Sequence, residues 1–163
     1  MKKLIYTLLI IIALTNNSFS AGTSNDSDSA SKVSNYTKAK NLIETAKKYE
    51  KKGKTEKAQK RYAKAQILLL KSNKKKPLQA NTLNYLGFTT RKLGDYSKGE
   101  EFYLQGLQIE PNHKGINEYL GELYVVTNRL DLAKERLEVL KACNCEEYDE
   151  LKEIIEGTKK SKY

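Results

Sequence analysis

The chain repeats itself across an insertion. Gly87, Gly94, Gly99, Tyr103 and Gly106 each have a counterpart 34 residues downstream, at Gly121, Asn128, Ala133, Leu137 and Leu140. The same five positions look back 41 residues, to Ala46, Gly53, Ala58, Tyr62 and Ala65, because seven extra residues, Asn73 to Gln79, separate the first unit from the second. A period of that length, marked by small and aromatic positions, belongs to paired helices stacked in an array, each unit covering the apolar face of the next.

Each unit reads as two amphipathic helices. In the first, Leu42, Ile43, Ala46 and Tyr49 recur at helical spacing, Gly53 breaks the chain, and Ala58, Tyr62, Ala65 and Leu69 line one face of the partner helix. In the second, Leu83, Leu86, Gly87 and Thr90 precede Gly94, Asp95 is placed to cap, and the following helix carries Tyr96, Gly99, Phe102, Tyr103 and Gly106 before Pro111. The third starts with Asn112 as the expected cap, continues through Ile116, Leu120, Gly121 and Tyr124, and ends in Leu130, Ala133, Leu137 and Leu140. Asn128 stands in its turn, and Asn tolerates the left-handed conformation better than most residues. Gly99 and Gly106 fall inside a helix, where each costs about 1 kcal/mol relative to Ala. Close helix approach gives a reason to keep them, and the tyrosines and Phe102 are expected to fill the space between helices as core. An array also needs its terminal face covered, and residues 146–156 carry Tyr148, Leu151, Ile154 and Ile155 on one stripe. Glu146 and Glu147 suit the start of that capping helix and Gly157 its stop. The expectation is seven helices and no strand.

On these residues the chain resembles the tetratricopeptide repeat (TPR), whose pattern sets Leu-Gly or Ala in the first helix, Tyr, a turn Gly, then Tyr, Ala, an aromatic and Ala, and a closing Pro. The second unit shows Leu86, Gly87, Gly94, Tyr96, Tyr103 and Pro111, and the first shows Ala46, Tyr49, Gly53, Ala58, Tyr62 and Ala65. The third shows Leu120, Gly121, Tyr124 and Ala133 but lacks the turn Gly and the Pro. The resemblance implies an all-α, right-handed α-α superhelix of three helix pairs (39–72, 80–113 and 114–147) with the capping helix at 146–156, the whole domain running from 36 to 157. It also implies a non-catalytic module that binds a protein or peptide in a concave groove. The family's groove positions fall on Lys40, Ile43, Lys47, Glu50 and Lys51 in the first unit. They fall on Asn81, Asn84, Phe88, Arg91 and Lys92 in the second, and on Glu118, Glu122, Val125 and Val126 in the third. Phe88 is expected to be partly exposed there, and the groove to run from basic to acidic. Members that clamp a C-terminal carboxylate use Lys, Asn and Arg across all three units. This chain presents Glu118 and Glu122 last, so that function does not carry over.

Outside the repeats the sequence speaks of export. Lys2 and Lys3, an apolar run from Leu4 to Leu14, and Ser18 and Ser20 at small-residue spacing form a secretory signal peptide over residues 1–20, with Ala21 as the new N-terminus. Eleven apolar residues fall short of the roughly 20 that span a bilayer. Residues 21–35 are a polar leader too poor in apolar side chains to order themselves, and 158–163 are a basic tail. The expected compartment is the periplasm or the medium of a bacterium. The formal charge of +10 is uneven: residues 21–78 carry sixteen Lys/Arg against five acids, and residues 79–163 twelve against fifteen. Lysines coating solvated helix faces account for this, but an alternative role is docking on anionic surfaces such as lipid headgroups or polyanions.

Catalytic chemistry has little to stand on. The single histidine, His113, lies in a connector, and neither a Gly-rich phosphate loop nor a metalloprotease or nucleophile-elbow motif is present. No cofactor, metal or nucleic acid is called for. Cys143 and Cys145, just before the capping helix, leave several readings open. A disulfide stapling that turn fits an oxidising compartment. A soft-metal site of two thiolates, a redox role, and interchain bonding or free thiols are the others. The segment from Cys143 to Tyr148 is similar to the end of small exported bacterial repeat proteins.

Overall fold

The computed structural model describes residues 33–161; the signal peptide expected at 1–20, the leader up to residue 32, and residues 162 and 163 lie outside them. Seven α-helices follow in order: α1 (Asn35–Lys51), α2 (Thr55–Lys75), α3 (Ala80–Lys92), α4 (Tyr96–Ile109), α5 (Lys114–Val126), α6 (Leu130–Leu140) and α7 (Glu146–Ile155). A single 3-10 turn, Lys141–Cys143, precedes α7, and no strand occurs among the described residues. Helices pair as α1 with α2, α3 with α4 and α5 with α6, while α7 packs on α5 and α6. The chain is therefore an all-α solenoid of TPR-like helix pairs with a terminal cap. No described helix is long and apolar enough to cross a membrane.

The turn inside each pair is built the same way three times. Gly53, Gly94 and Asn128 take positive φ values of 66°, 97° and 58°. The residue after each reaches back to the same place on the preceding helix: Lys54 N to Tyr49 O, Asp95 N to Thr90 O, and Arg129 N to Tyr124 O, at 2.9, 3.2 and 2.7 Å. These bonds satisfy carbonyls that the helix end would otherwise leave orphaned. Helix starts are capped by side chains at Ser34, at Asp95 (from Lys98 N, 2.9 Å) and at His113, whose Nδ1 accepts from Ile116 N at 3.1 Å. The cap of α5 is thus His113, not the expected Asn112. A ring nitrogen can accept as a hydroxyl or carboxylate oxygen does, and the connector after Pro111 runs one residue longer. The insertion divides, Asn73–Lys75 extending α2 and the remaining four residues forming the connector, with Leu78 at φ 56°.

The core follows the repeat positions. Ala46, Ala58, Tyr62, Ala65 and Leu69 are fully buried in the first pair, as are Leu86 and Tyr103 in the second and Leu120 and Ala133 in the third. An added Cβ on Gly87 would lie 2.5 Å from Cε1 of Tyr103, and one on Gly121 would lie 2.5 Å from Cδ2 of Leu151. Gly121 is the repeat equivalent of Gly87, yet the side chain seated on it comes from α7, which is how the cap closes the array. Two expected core residues are not core: Tyr96 and Leu130 are each 41% exposed. Each is the first residue of its helix, immediately after the turn, where the partner helix has already ended.

Cys143 and Cys145 are joined in a disulfide, with their Cα atoms 5.3 Å apart and Asn144 between them at φ 44°. Beyond α7 the basic tail is held as far as it is described. Gly157 turns the chain at φ 75°, Thr158 N and Lys159 N both donate to Glu153 O, and Lys159 Nζ meets Glu150 at 3.0 Å.

Candidate functional site

The fourteen groove positions lie on α1, α3 and α5, the first helix of each pair, and the structure brings these helices side by side through α1–α3 and α3–α5 contacts. Repeat geometry alone produces that alignment, since equivalent residues of successive units must stack along one face. The individual side chains then sort into two groups. Lys40, Lys51, Asn81 and Val126 are exposed along the rims, and Lys47, Glu50, Lys92 and Val125 are half-buried. Ile43, Asn84, Phe88, Arg91, Glu118 and Glu122 are buried.

Phe88 corrects the sequence reading most sharply, being 1% exposed. Its ring packs edge-on against Tyr62 at 5.7 Å between centroids and tilted against Tyr119 at 5.0 Å, so one aromatic from each unit meets in a column. Lys47 Nζ stands 5.1 Å from the Phe88 centroid, close enough for a cation–π contact. Phe88 is therefore the hinge pin between units rather than an anchor waiting for a ligand. Ile43 belongs to the same core cluster.

Charges are paired across units instead of running freely from basic to acidic. Lys92 Nζ of α3 lies 2.6 Å from Glu50 of α1, and the same carboxylate accepts the Tyr62 hydroxyl at 2.8 Å. Burial, reinforced by that hydrogen bond to Glu50, raises the Tyr62 pKa and holds the phenol neutral. On the other side of α3, Arg91 Nη2 lies 3.6 Å from Glu122 of α5, and Arg91 Nη1 donates to the Tyr119 carbonyl. The middle unit thus supplies two cations, each neutralised by an acid of a different neighbour. Burial also raises the Tyr103 pKa, against the opposing pull of the nearby Arg91 guanidinium.

Several contacts at and near these positions carry no signal in the repeat pattern. Ser161 of the tail donates to Glu122 Oε2 at 3.0 Å, so the chain's own C-terminal segment reaches a groove position 39 residues away. Arg129 holds Glu100 through two bonds of 2.9 and 2.7 Å while its guanidinium lies 4.5 Å from the Tyr124 ring. His113 Nε2 meets Asn81 Oδ1 at 3.2 Å, and with Nδ1 accepting from Ile116, Nε2 is the nitrogen that donates. That bond ties the rim of α3 to the start of α5. A closer reading of the sequence could have flagged Arg129 beside the turn residue Asn128; the tail contact had no such marker.

Neither a protein-family model nor a curated protein matches the sequence. Solved structures do. The type III secretion translocator chaperone SycD of Yersinia enterocolitica superposes with a TM-score of 0.52 at 17% identity, covering 77% of this chain and 86% of that one. The first TPR of Spaghetti (RPAP3), bound to the HSP90 peptide SRMEEVD, gives 0.48 at 21% identity over 76% of this chain and 94% of its own. The CopN–Scc3 complex gives 0.49 at 20% identity over 86% and 83%. At these identities the likeness concerns the fold.

Proposed function

We propose that this chain is a non-catalytic scaffold that binds a protein or peptide segment along the concave face of α1, α3 and α5. The observation that carries the reading is the Ser161–Glu122 hydrogen bond: a residue outside regular structure already reaches a side chain at a groove position. A translocator chaperone built on the same fold supports the reading. So does the distribution of rim residues. Lys40 and Lys51 of the first unit and Asn81 of the second offer donors, and Val126 of the third an apolar contact. The bound segment would place acceptors over the first unit and a donor near Glu122. Export through residues 1–20 to the bacterial periplasm or medium belongs to the same proposal, supported by the charged and apolar order of those residues and by the Cys143–Cys145 disulfide.

Site-specific photo-crosslinking in the exporting cell tests it. A crosslinker replacing Lys51, Asn81 or Val126 should capture a partner polypeptide, whereas one at Gln105 or Lys134, exposed on α4 and α6, should not. Equal capture from both sets would remove the groove from the function.

A further inference from the structure

The outer face of α2 carries a line of residues spaced three and four apart: Lys57, Lys60, Lys64, Ile67, Lys71 and Lys74. All six are exposed. Such spacing keeps side chains on one face of a helix. Ile67 is 53% exposed and Leu70, beside it, 47%, so two large apolar side chains stand in solvent with lysines on either side. Lys57, Lys64, Lys71 and Lys74 make no ion pair among the described residues, although Lys60 is held by Glu56. A shallow depression lined by Tyr49, Lys57, Lys60, Arg61 and Lys64 continues the same face toward α1.

We infer that this face of α2 is a docking surface for an anionic lipid bilayer, a second site separate from the groove. The lysines reach phosphate headgroups while Ile67 and Leu70 enter the boundary between headgroups and acyl chains, the division of labour of an interfacial helix. Exposed apolar residues alone do not make the case. Leu104 on α4 and Leu132 on α6 are exposed too. Those helices are acidic on balance: α4 carries Lys98 against Glu100 and Glu101, and α6 carries Lys134 and Arg136 against Asp131, Glu135 and Glu138. α2 carries seven Lys/Arg against the single Glu56, a net of +6. Of these three helices, only α2 joins exposed apolar side chains to a positive charge. The same charge argues against a second copy of the chain as occupant, since two such faces would repel.

The test is co-sedimentation of the full chain with vesicles of phosphatidylcholine alone and of phosphatidylcholine mixed with phosphatidylglycerol. All variants keep the same N-terminal residues, so any affinity of that segment cancels between them. The parent should prefer the anionic vesicles. K64E/K71E and I67S/L70S should each reduce the anionic-vesicle partition coefficient by about tenfold or more, since each basic residue near the surface and each buried apolar group contributes on that scale. L104S should leave it unchanged, and circular dichroism should show every variant folded. A parent indifferent to lipid charge would overturn the inference. So would an I67S/L70S variant that binds like the parent, which would leave only contact with a polyanion. Neither result bears on the groove, whose crosslinking readout is independent.

Discussion

The first and second helix pairs share one pattern and differ in the residues that fill its small positions. The first uses Ala46, Ala58 and Ala65, all fully buried; the second uses Gly87, Gly99 and Gly106. In the first pair a methyl group fits at each position. In the second, an added Cβ on Gly87 would lie 2.5 Å from the Tyr103 ring, and one on Gly99 would lie 3.1 Å from the Gly87 carbonyl oxygen. The tyrosines differ as well. Tyr62 donates its hydroxyl to Glu50 at 2.8 Å, whereas the buried Tyr103 hydroxyl has no hydrogen-bond partner among the described residues. The same repeat position therefore serves a polar link in one unit and tight packing in the next. A shared pattern specifies where helices meet, and the local residue specifies how closely.

Gly87→Leu should break the second pair most severely. Tyr103 is fully buried, so its ring cannot swing into solvent to make room. Overpacking of this kind costs about 1–3 kcal/mol or more, a large share of the stability of a small domain. Urea denaturation matching the parent would show that α3 and α4 do not pair as described. Next in size is the contrast between the tyrosines. Tyr62→Phe removes a hydrogen bond to a carboxylate and should cost about 1.5–3 kcal/mol, whereas Tyr103→Phe removes a hydroxyl that has no partner and should cost nothing or stabilise slightly. Equal losses in the two variants would erase the distinction.

Alkaline pH sharpens the same point. Burial raises the Tyr103 pKa in the folded chain, while the unfolded phenol keeps its ordinary value near 10. Stability is then complete below about pH 10 and falls as pH rises above it, by up to about 1.4 kcal/mol per unit from this group. Tyr103→Phe should remove that share of the slope, read from melting temperatures at successive pH values. Gly99→Ala and Ala58→Gly form a smaller, opposed pair at equivalent positions. Ala58→Gly should cost about 1 kcal/mol in helix propensity. Gly99→Ala should also destabilise, because the atoms in its way are the Gly87 carbonyl and the Arg91 Cβ, which belong to a packed helix. A stabilised Gly99→Ala would mean that α3 can shift. Reduction of Cys143–Cys145 should have the smallest effect, well below the ~3 kcal/mol of a 15-residue loop, because the bonded residues stand only two apart. Hydrogen exchange should quicken in residues 146–156 and not in α1.

The fold was legible because its determinants are periodic. Gly53, Gly94 and Asn128 mark the turns, and the small positions mark the seams, so both could be read by comparing the sequence with itself. Leu151 could be assigned to a cap from its stripe alone, though its seat on Gly121 could not. The groove was legible only as a set of positions. Whether Phe88 faces solvent depends on Tyr62 and Tyr119, each about one unit away, and whether Arg91 is available depends on Glu122, 31 residues on. Phe88–Tyr119 and Arg91–Glu122 are each 31 residues apart, but none of these positions is among the small and turn residues that recur, so the repeat pattern does not mark them.

The reach of Ser161 to Glu122 has a consequence for any measurement of binding. A tethered group is present at its target in a local concentration of the millimolar order, whatever the dilution of the protein. An incoming segment that needs Glu122 therefore meets an internal competitor that dilution does not remove. Its apparent affinity is lowered by the fraction of time the tail is in place. A chain shortened before Thr158 should report the groove's intrinsic affinity, and the ratio of the two dissociation constants measures how firmly the tail holds.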